Sequence, residues 1–186
     1  MTDFIKGREM HFCHCLPAAS RFLIEGHGRE EKILLVGESL TLDWVRYGSP
    51  FVKISPSIRN LNDLFRDIDL DADKMSFTNL AKCYLGTNRK KITSCGLRCL
   101  PVLEKQLLTH DFKLIITLGV TTLSVFQKTV ITKLTLGEMN KIKIGRREYS
   151  LLPIYHPSPL SRSLNKNKQI LTSLRNEIVK TISSRS

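Results

Sequence analysis

The chain has 186 residues, and its 29 Lys and Arg against 17 Asp and Glu give a formal net charge of +12. Hydrophobic residues make up 41% and charged residues 25%, which is typical of a globular domain and excludes a disordered or collagen-like chain. Apolar runs such as residues 33–36 are far shorter than the roughly 20 residues of a membrane span, so we expect a single cytosolic domain over residues 1–186 with no membrane partner.

Strands and helices alternate in the predicted elements. In chain order the sequence predicts a strand at residues 33–37, a helix at 58–68, a strand at 76–80, a helix at 97–108, strands at 113–119 and 147–155, and a helix at 170–182. The strands are short apolar runs, and the helices have apolar residues three and four positions apart. This alternation predicts a three-layer α/β/α fold with a central, mostly parallel four-stranded sheet.

Polar and aromatic residues cluster where the predicted strands end. The segments are Gly37-Glu38-Ser39, residues 47–52, Thr78-Asn79 and residues 155–159. Ligands of parallel sheets bind at the carboxyl ends of the strands. A carboxylate, an aromatic ring, an amide and an imidazole at that edge suit a planar, hydrogen-bonding ligand such as a nucleobase. Taken singly, each residue also has an ordinary explanation, such as a helix cap for Glu38 or a turn for Asn79.

Charge is unevenly distributed along the chain. Basic residues gather at 89–91, 141–147 and 162–168, whereas acidic residues crowd into 63–73. A strong positive balance favours a polyanionic partner, with nucleic acid as the first candidate. We expect the three basic segments to line one face.

The ordered series of motifs resembles the uracil-DNA glycosylase superfamily, in particular its iron–sulfur (family 4-like) branch. That branch has Gly-Glu-Ala-Pro-Gly followed by Gly-x-Pro-Phe-Val, which residues 37–41 and 48–52 resemble. Residues 77–83 are similar to its strand with an Asn and a cluster Cys, and residues 99–106 to its Cys-x-x-Tyr-Leu-x-x-Gln helix. Residues 156–158 resemble its His-Pro-Ser motif, so the resemblance spans nearly the whole chain.

The resemblance implies a monofunctional DNA repair enzyme that hydrolyses the N-glycosidic bond of uracil in DNA and leaves an abasic site. Glu38 and His156 match the catalytic positions. A carboxylate at Glu38 would stabilise positive charge on the sugar and orient the attacking water. His156 would stabilise the negative charge that develops on the departing base.

Four further residues are implied to bind the substrate, which is DNA containing uracil. Phe51 would stack on the extruded base, and Asn79 would donate to O4 and accept from N3–H of uracil. Ser158 and Arg162 would hold the DNA backbone. We expect a cytoplasmic monomer that is associated with the nucleoid when it is bound to DNA.

The resemblance also implies a structural [4Fe–4S] cluster. The implied ligands are Cys13, Cys15, Cys83 and Cys99. The first two form a Cys-x-Cys where the branch has Cys-x-x-Cys, so the participation of His11, His14 or Cys95 stays open. A structural zinc ion on the same ligands and unliganded thiols are the alternatives.

The first motif departs from the branch because Ser39-Leu40-Thr41 stands where Ala-Pro-Gly is usual. These residues prefer extended backbone and are bulkier than the ones they replace. Two alternative functions therefore stay open. One is a catalytically silent protein of the same fold that binds DNA or a protein partner, and the other is a glycosylase for a different altered base.

Overall fold

The computed structural model describes residues 23–41, 55–86, 88–130, 132–159 and 162–184. The predictions for Phe51, Cys13 and Cys15 lie outside these residues, as do those for His11 and His14.

The described residues form one mixed sheet of six strands. The strands are β1 Leu23–Ile24, β2 Ile33–Leu40, β3 Ser76–Tyr84, β4 Leu114–Leu118, β5 Asn140–Ile144 and β6 Arg147–Ile154. Their order across the sheet is β1-β3-β2-β4-β6-β5. The four central strands are parallel, and β1 and β5 are antiparallel at the two edges.

The α/β class and the four parallel strands confirm the sequence prediction, but the predicted strand count is wrong. β1 has only two residues, too few for a recognisable pattern. β5 alternates buried Ile142 and Ile144 with exposed Lys141 and Lys143, the pattern of an edge strand with one solvated face. A tight turn at Gly145 then pairs it with β6.

Four α-helices pack on the sheet in the segments of the chain that the structure describes. They are α1 Pro56–Arg66, α2 Ile92–Thr109, α3 Val120–Gln127 and α4 Leu164–Ser183. Ser55 caps α1 by accepting a hydrogen bond from the Ile58 N–H at 3.3 Å, and Pro56 occupies its first turn. The sequence did not predict α3, which is short and rich in β-branched residues. None of these helices is long and apolar enough to cross a membrane.

The two faces of the sheet carry separate hydrophobic clusters, which confirms the three layers. Ile33 and Leu35 of β2 pack against α1 and α4. Leu34 and Val36 point to the opposite face and pack against α2 and α3. Because the four parallel strands run in one direction, their carboxyl ends, with the predicted site residues, share one edge of the sheet.

The basic segments do not all lie at that edge, so the expectation of one basic face is wrong. Residues 88–91 and 162–168 follow β3 and β6 and lie at the carboxyl edge. The turn of the β5–β6 hairpin precedes β6 and therefore lies at the amino edge, where Arg147 donates to the His110 carbonyl at 3.0 Å. Lys168 is paired with Asp67 at 2.9 Å.

Candidate active site

Glu38 and His156 approach each other around Gly119, the residue that follows β4. The Gly119 N–H donates to the Ile154 carbonyl at 2.9 Å, which ties the ends of β4 and β6 together. Gly119 has a φ of 99°, a conformation that favours glycine. A Cβ at this position would lie 3.1 Å from Oε1 of Glu38 and 3.4 Å from Cβ of His156. The missing side chain therefore lets a carboxylate and an imidazole-bearing loop reach one point.

Asn79 lies one strand away from Glu38. The parallel register pairs Asn79 with Gly37, the residue before Glu38. A Cβ on Gly37 would overlap Oδ1 of Asn79, so glycine leaves the room that the amide needs. Asn79 is 3% exposed, and within the described residues its Nδ2 has no hydrogen-bond partner. An unpaired buried donor costs about 1–3 kcal/mol, so this amide is suited to a ligand that accepts a hydrogen bond.

Two asparagines fix the backbone on both sides of His156. Asn167 of α4 is fully buried, and its Oδ1 accepts from the Tyr155 N–H while its Nδ2 donates to the Tyr155 carbonyl, both at 2.9 Å. Asn60 of α1 donates to the Pro157 carbonyl at 3.0 Å. Sequence reasoning missed both residues. The signal for Asn167 was its spacing of four residues from Leu171, which places an amide on the apolar side of the helix.

Ser158 and Arg162 lie on the loop that joins β6 to α4. Ser158 is half-buried, and Arg162 is exposed. Further along, Lys166 lies 5.6 Å from the centre of the Tyr155 ring, the residue before His156. This end of the loop therefore presents cationic side chains beside the site, as a polyanionic ligand requires.

The altered first motif belongs to a strand. β2 continues through Ser39 and Leu40, which pair with Ala81 and Tyr84 of β3 across a register shift. A proline has no N–H to donate and interrupts a central strand, so the replacement of Ala-Pro by Ser39-Leu40 agrees with this extension.

Cys99 of α2 lies against β3 beside Lys82, the residue before Cys83. The Lys82 N–H, next to Cys83, donates to Sγ of buried Cys99 at 3.4 Å. Cys95 lies one turn before Cys99 on α2 and is half-buried. Among the described residues, no three His, Cys, Asp or Glu side chains form a group that holds a metal ion.

Lys82 is a buried basic residue beside Cys99. Its Nζ donates to Oγ1 of Thr78 and to Oε1 of Gln106, the latter at 2.9 Å. Burial lowers the pKa of Lys82 to about 7, and the Coulombic attraction of Cys99 opposes that shift. The backbone N–H of Lys82 stabilises negative charge on Sγ of Cys99, so this cysteine has surroundings that fit a metal ligand.

The comparison with protein families decides the identity of the fold. The model of the uracil DNA glycosylase superfamily matches residues 25–179, most of the chain. The chain belongs to this superfamily. It is 30% identical over 151 residues to the Type-4 uracil-DNA glycosylase of Sulfurisphaera tokodaii. The aligned region covers 77% of this chain and 67% of that protein. The type-4 name also agrees with the branch predicted from the motifs.

Membership confirms the predicted family and the general class, a DNA repair glycosylase. The matched span contains Glu38, Asn79 and His156, together with Cys83 and Cys99. It begins after the two N-terminal cysteines. The roles of the individual residues remain predictions.

We expect Asn167→Ala to lower the free energy of unfolding by about 1–3 kcal/mol, because two partly buried backbone groups of Tyr155 lose the partner that a fully buried side chain provides. Urea denaturation measures this loss. Ser173→Ala, on the exposed side of the same helix, is the matched control and should change stability by no more than about 0.5 kcal/mol. Equal stability of the two variants would contradict the anchoring role of Asn167.

Proposed function

We propose that this chain is a monofunctional uracil-DNA glycosylase that hydrolyses the N-glycosidic bond of uracil in DNA and leaves an abasic site. The observation that carries the proposal is the meeting of Glu38 and His156 at Gly119, next to the unpaired amide of Asn79. These groups match the charge changes of the reaction. No dissociable cofactor enters the chemistry.

The departing uracil takes up negative charge, and the deoxyribose develops positive charge in an oxocarbenium-like transition state. His156 stabilises the anionic base from the loop that Asn167 and Asn60 hold in place. Glu38 stabilises the sugar cation and orients the attacking water. A donor held in place before the reaction needs no reorganisation as the charge develops, which makes its stabilisation effective.

Asn79 reads the polar edge of the base. Uracil presents O4 as an acceptor and N3–H as a donor, and cytosine presents the reverse pattern. The Nδ2 of Asn79 is buried without a partner in the described structure, so it is available to donate to O4. When cytosine occupies the site, its donor and acceptor groups do not match those of the buried amide. Polar groups then stay unpaired, which weakens the binding of cytosine.

The geometry of Lys82 supports a monofunctional enzyme. A bifunctional glycosylase uses an amine that attacks the sugar. Lys82 has a pKa of about 7, but its Nζ is bonded to Thr78 and Gln106, and the residue is only 1% exposed. Its side chain therefore stays on the α2 side of the sheet and does not serve as that nucleophile.

DNA is held by the carboxyl edge of the sheet in this proposal. Ser158 and Arg162 contact the backbone of the damaged strand, and Phe51 stacks on the extruded uracil. Exposed Lys90 and Lys91 after β3 add positive charge at the same edge. The protein acts as a monomer.

We further propose that Cys83 and Cys99 hold a structural [4Fe–4S] cluster together with Cys13 and Cys15. Support comes from the proximity of Cys99 to the end of β3 and from the backbone N–H that donates to its sulfur. The cluster would tie the N-terminal segment to β3 and α2. Zinc on the same four thiolates is the alternative, since tetrahedral sulfur sites suit both metals.

The purified protein should release uracil from a labelled oligonucleotide that contains one uracil, and alkaline cleavage of the abasic site measures this release. His156→Ala should slow the single-turnover rate by about 10²–10³-fold, the usual effect of removing an oxyanion donor. A rate close to that of the wild type would refute the role of His156. No release by the wild-type protein on single-stranded and duplex DNA would favour the silent DNA-binding protein or another target base.

Asn79→Asp should reduce the preference for uracil over cytosine, because an ionised carboxylate accepts hydrogen bonds but no longer donates to O4. Competition between matched oligonucleotides that carry uracil or cytosine measures the ratio of the two rates. Ser39→Ala, next to the site but with a short side chain, is the control for general disturbance. Unchanged selectivity in the Asp variant would remove Asn79 from base recognition.

Iron and zinc analysis, with visible absorbance, tests the metal proposal. The wild-type chain should contain about four iron atoms and absorb broadly in the visible range, as [4Fe–4S] proteins do. Cys83→Ser and Cys99→Ser should each lose iron and absorbance, whereas Cys95→Ser should retain both. Equimolar zinc without iron would establish the alternative metal, and loss of iron in Cys95→Ser would add that thiol to the site.

A further inference from the structure

Two apolar side chains are unusually exposed for their size. Tyr84 at the end of β3 is 49% exposed, and Val120 at the start of α3 is 61% exposed. They are the exposed large hydrophobic side chains of the described residues. Both lie at the carboxyl edge of the sheet, where the site residues meet. An aromatic ring and an aliphatic side chain exposed at this edge are both accessible to a ligand bound there.

The strand order places the two side chains on either side of Glu38. Tyr84 belongs to β3, Glu38 to the neighbouring β2, and Val120 follows the end of β4 on the other side of β2. Tyr84 pairs with Leu40, two residues beyond Glu38, so it lies about 7 Å further along the strand direction. Tyr84 therefore projects past the reacting groups, toward the surface that faces the DNA.

Tyr84 also has the neighbours of a stacking platform for nucleobases. Its ring lies over Gly86, where a Cβ would be 3.9 Å from the Cε1, Cζ and Oη atoms. Exposed Asn88, Lys90 and Lys91 follow within a few residues. Aromatic rings beside cationic side chains are the combination that holds single-stranded nucleic acid.

We propose that Tyr84 and Val120 contact the nucleotides that flank the extruded one, Tyr84 by stacking on a base and Val120 by packing against the nucleotide on the other side. This inference rests on the proposed function. Extrusion of a nucleotide leaves its neighbours with an uncovered face, and covering those faces offsets some of the cost of unstacking. Tyr84 contributes most on single-stranded DNA, in which a flanking base has no pairing partner and is free to stack.

The test measures binding separately from excision. Fluorescence anisotropy gives the affinity of the full-length, metal-loaded protein for a labelled oligonucleotide with a tetrahydrofuran abasic-site analogue, as a single strand and as a duplex. Tyr84→Ala should weaken binding to the single strand by about 5- to 100-fold, the effect of removing one stacked base–aromatic contact. The loss on the duplex should be smaller. Tyr84→Phe, which keeps the ring, should bind within about twofold of the wild type.

Val120→Ala should weaken binding by about 2- to 10-fold, as expected for the loss of buried methyl groups. Val179→Ala is its matched control, because Val179 lies near the far end of α4 and should leave affinity unchanged. Thermal denaturation checks that each variant is folded, and Tyr84→Gln replaces Tyr84→Ala if the alanine variant does not fold.

The inference would be overturned if Tyr84→Ala bound the single strand as tightly as the wild-type protein does. An equal loss in Tyr84→Phe and Tyr84→Ala would do the same, because the hydroxyl and not the ring would then be responsible. The proposed function fails separately, if the wild-type protein releases no uracil from DNA that it binds. If the wild-type protein releases uracil and its binding does not depend on Tyr84, only the stacking contact is refuted.

Discussion

The active site depends on the absence of a side chain at Gly119. Its backbone angle and its hydrogen bond to Ile154 hold the end of β4 against the end of β6. The space where a Cβ would stand lies between Oε1 of Glu38 and Cβ of His156. A larger residue would push one of these side chains away from the other. Gly37 has a related role in β2, because it makes room for the amide of Asn79 on β3.

The two helical layers serve different regions of the molecule. α1 and α4 contribute Asn60 and Asn167, which hold the loop that carries His156. On the other face, α2 contributes Cys99 and Gln106, which surround the buried Lys82 of β3. The sheet separates the two sets of groups. The candidate active site and the surroundings of Cys99 therefore share β3 but not the same packing layer.

The sequence was sufficient for the parallel strands, for the amphipathic helices and for the position of Glu38, Asn79 and His156 at one edge of the sheet, because each depends on a local pattern or on strand direction. It was not sufficient for α3, whose β-branched residues have no clear helical period. The positions of Asn60 and Asn167 depend on how two helices pack against one loop, which no local pattern encodes. The β5–β6 hairpin reached the opposite edge because an antiparallel turn reverses the chain, and this separated its basic residues from the site.

The position of the basic β5–β6 hairpin at the outer edge of the sheet has a consequence for the solubility of the protein. β5 is an outer strand, so one side of its backbone lacks a partner strand in the described sheet. Such an edge invites a strand from another molecule to add to the sheet. The exposed Lys141 and Lys143 would place like charges against each other if two copies met edge to edge. Lys141 and Lys143 therefore disfavour the addition of a second copy of this edge to the sheet.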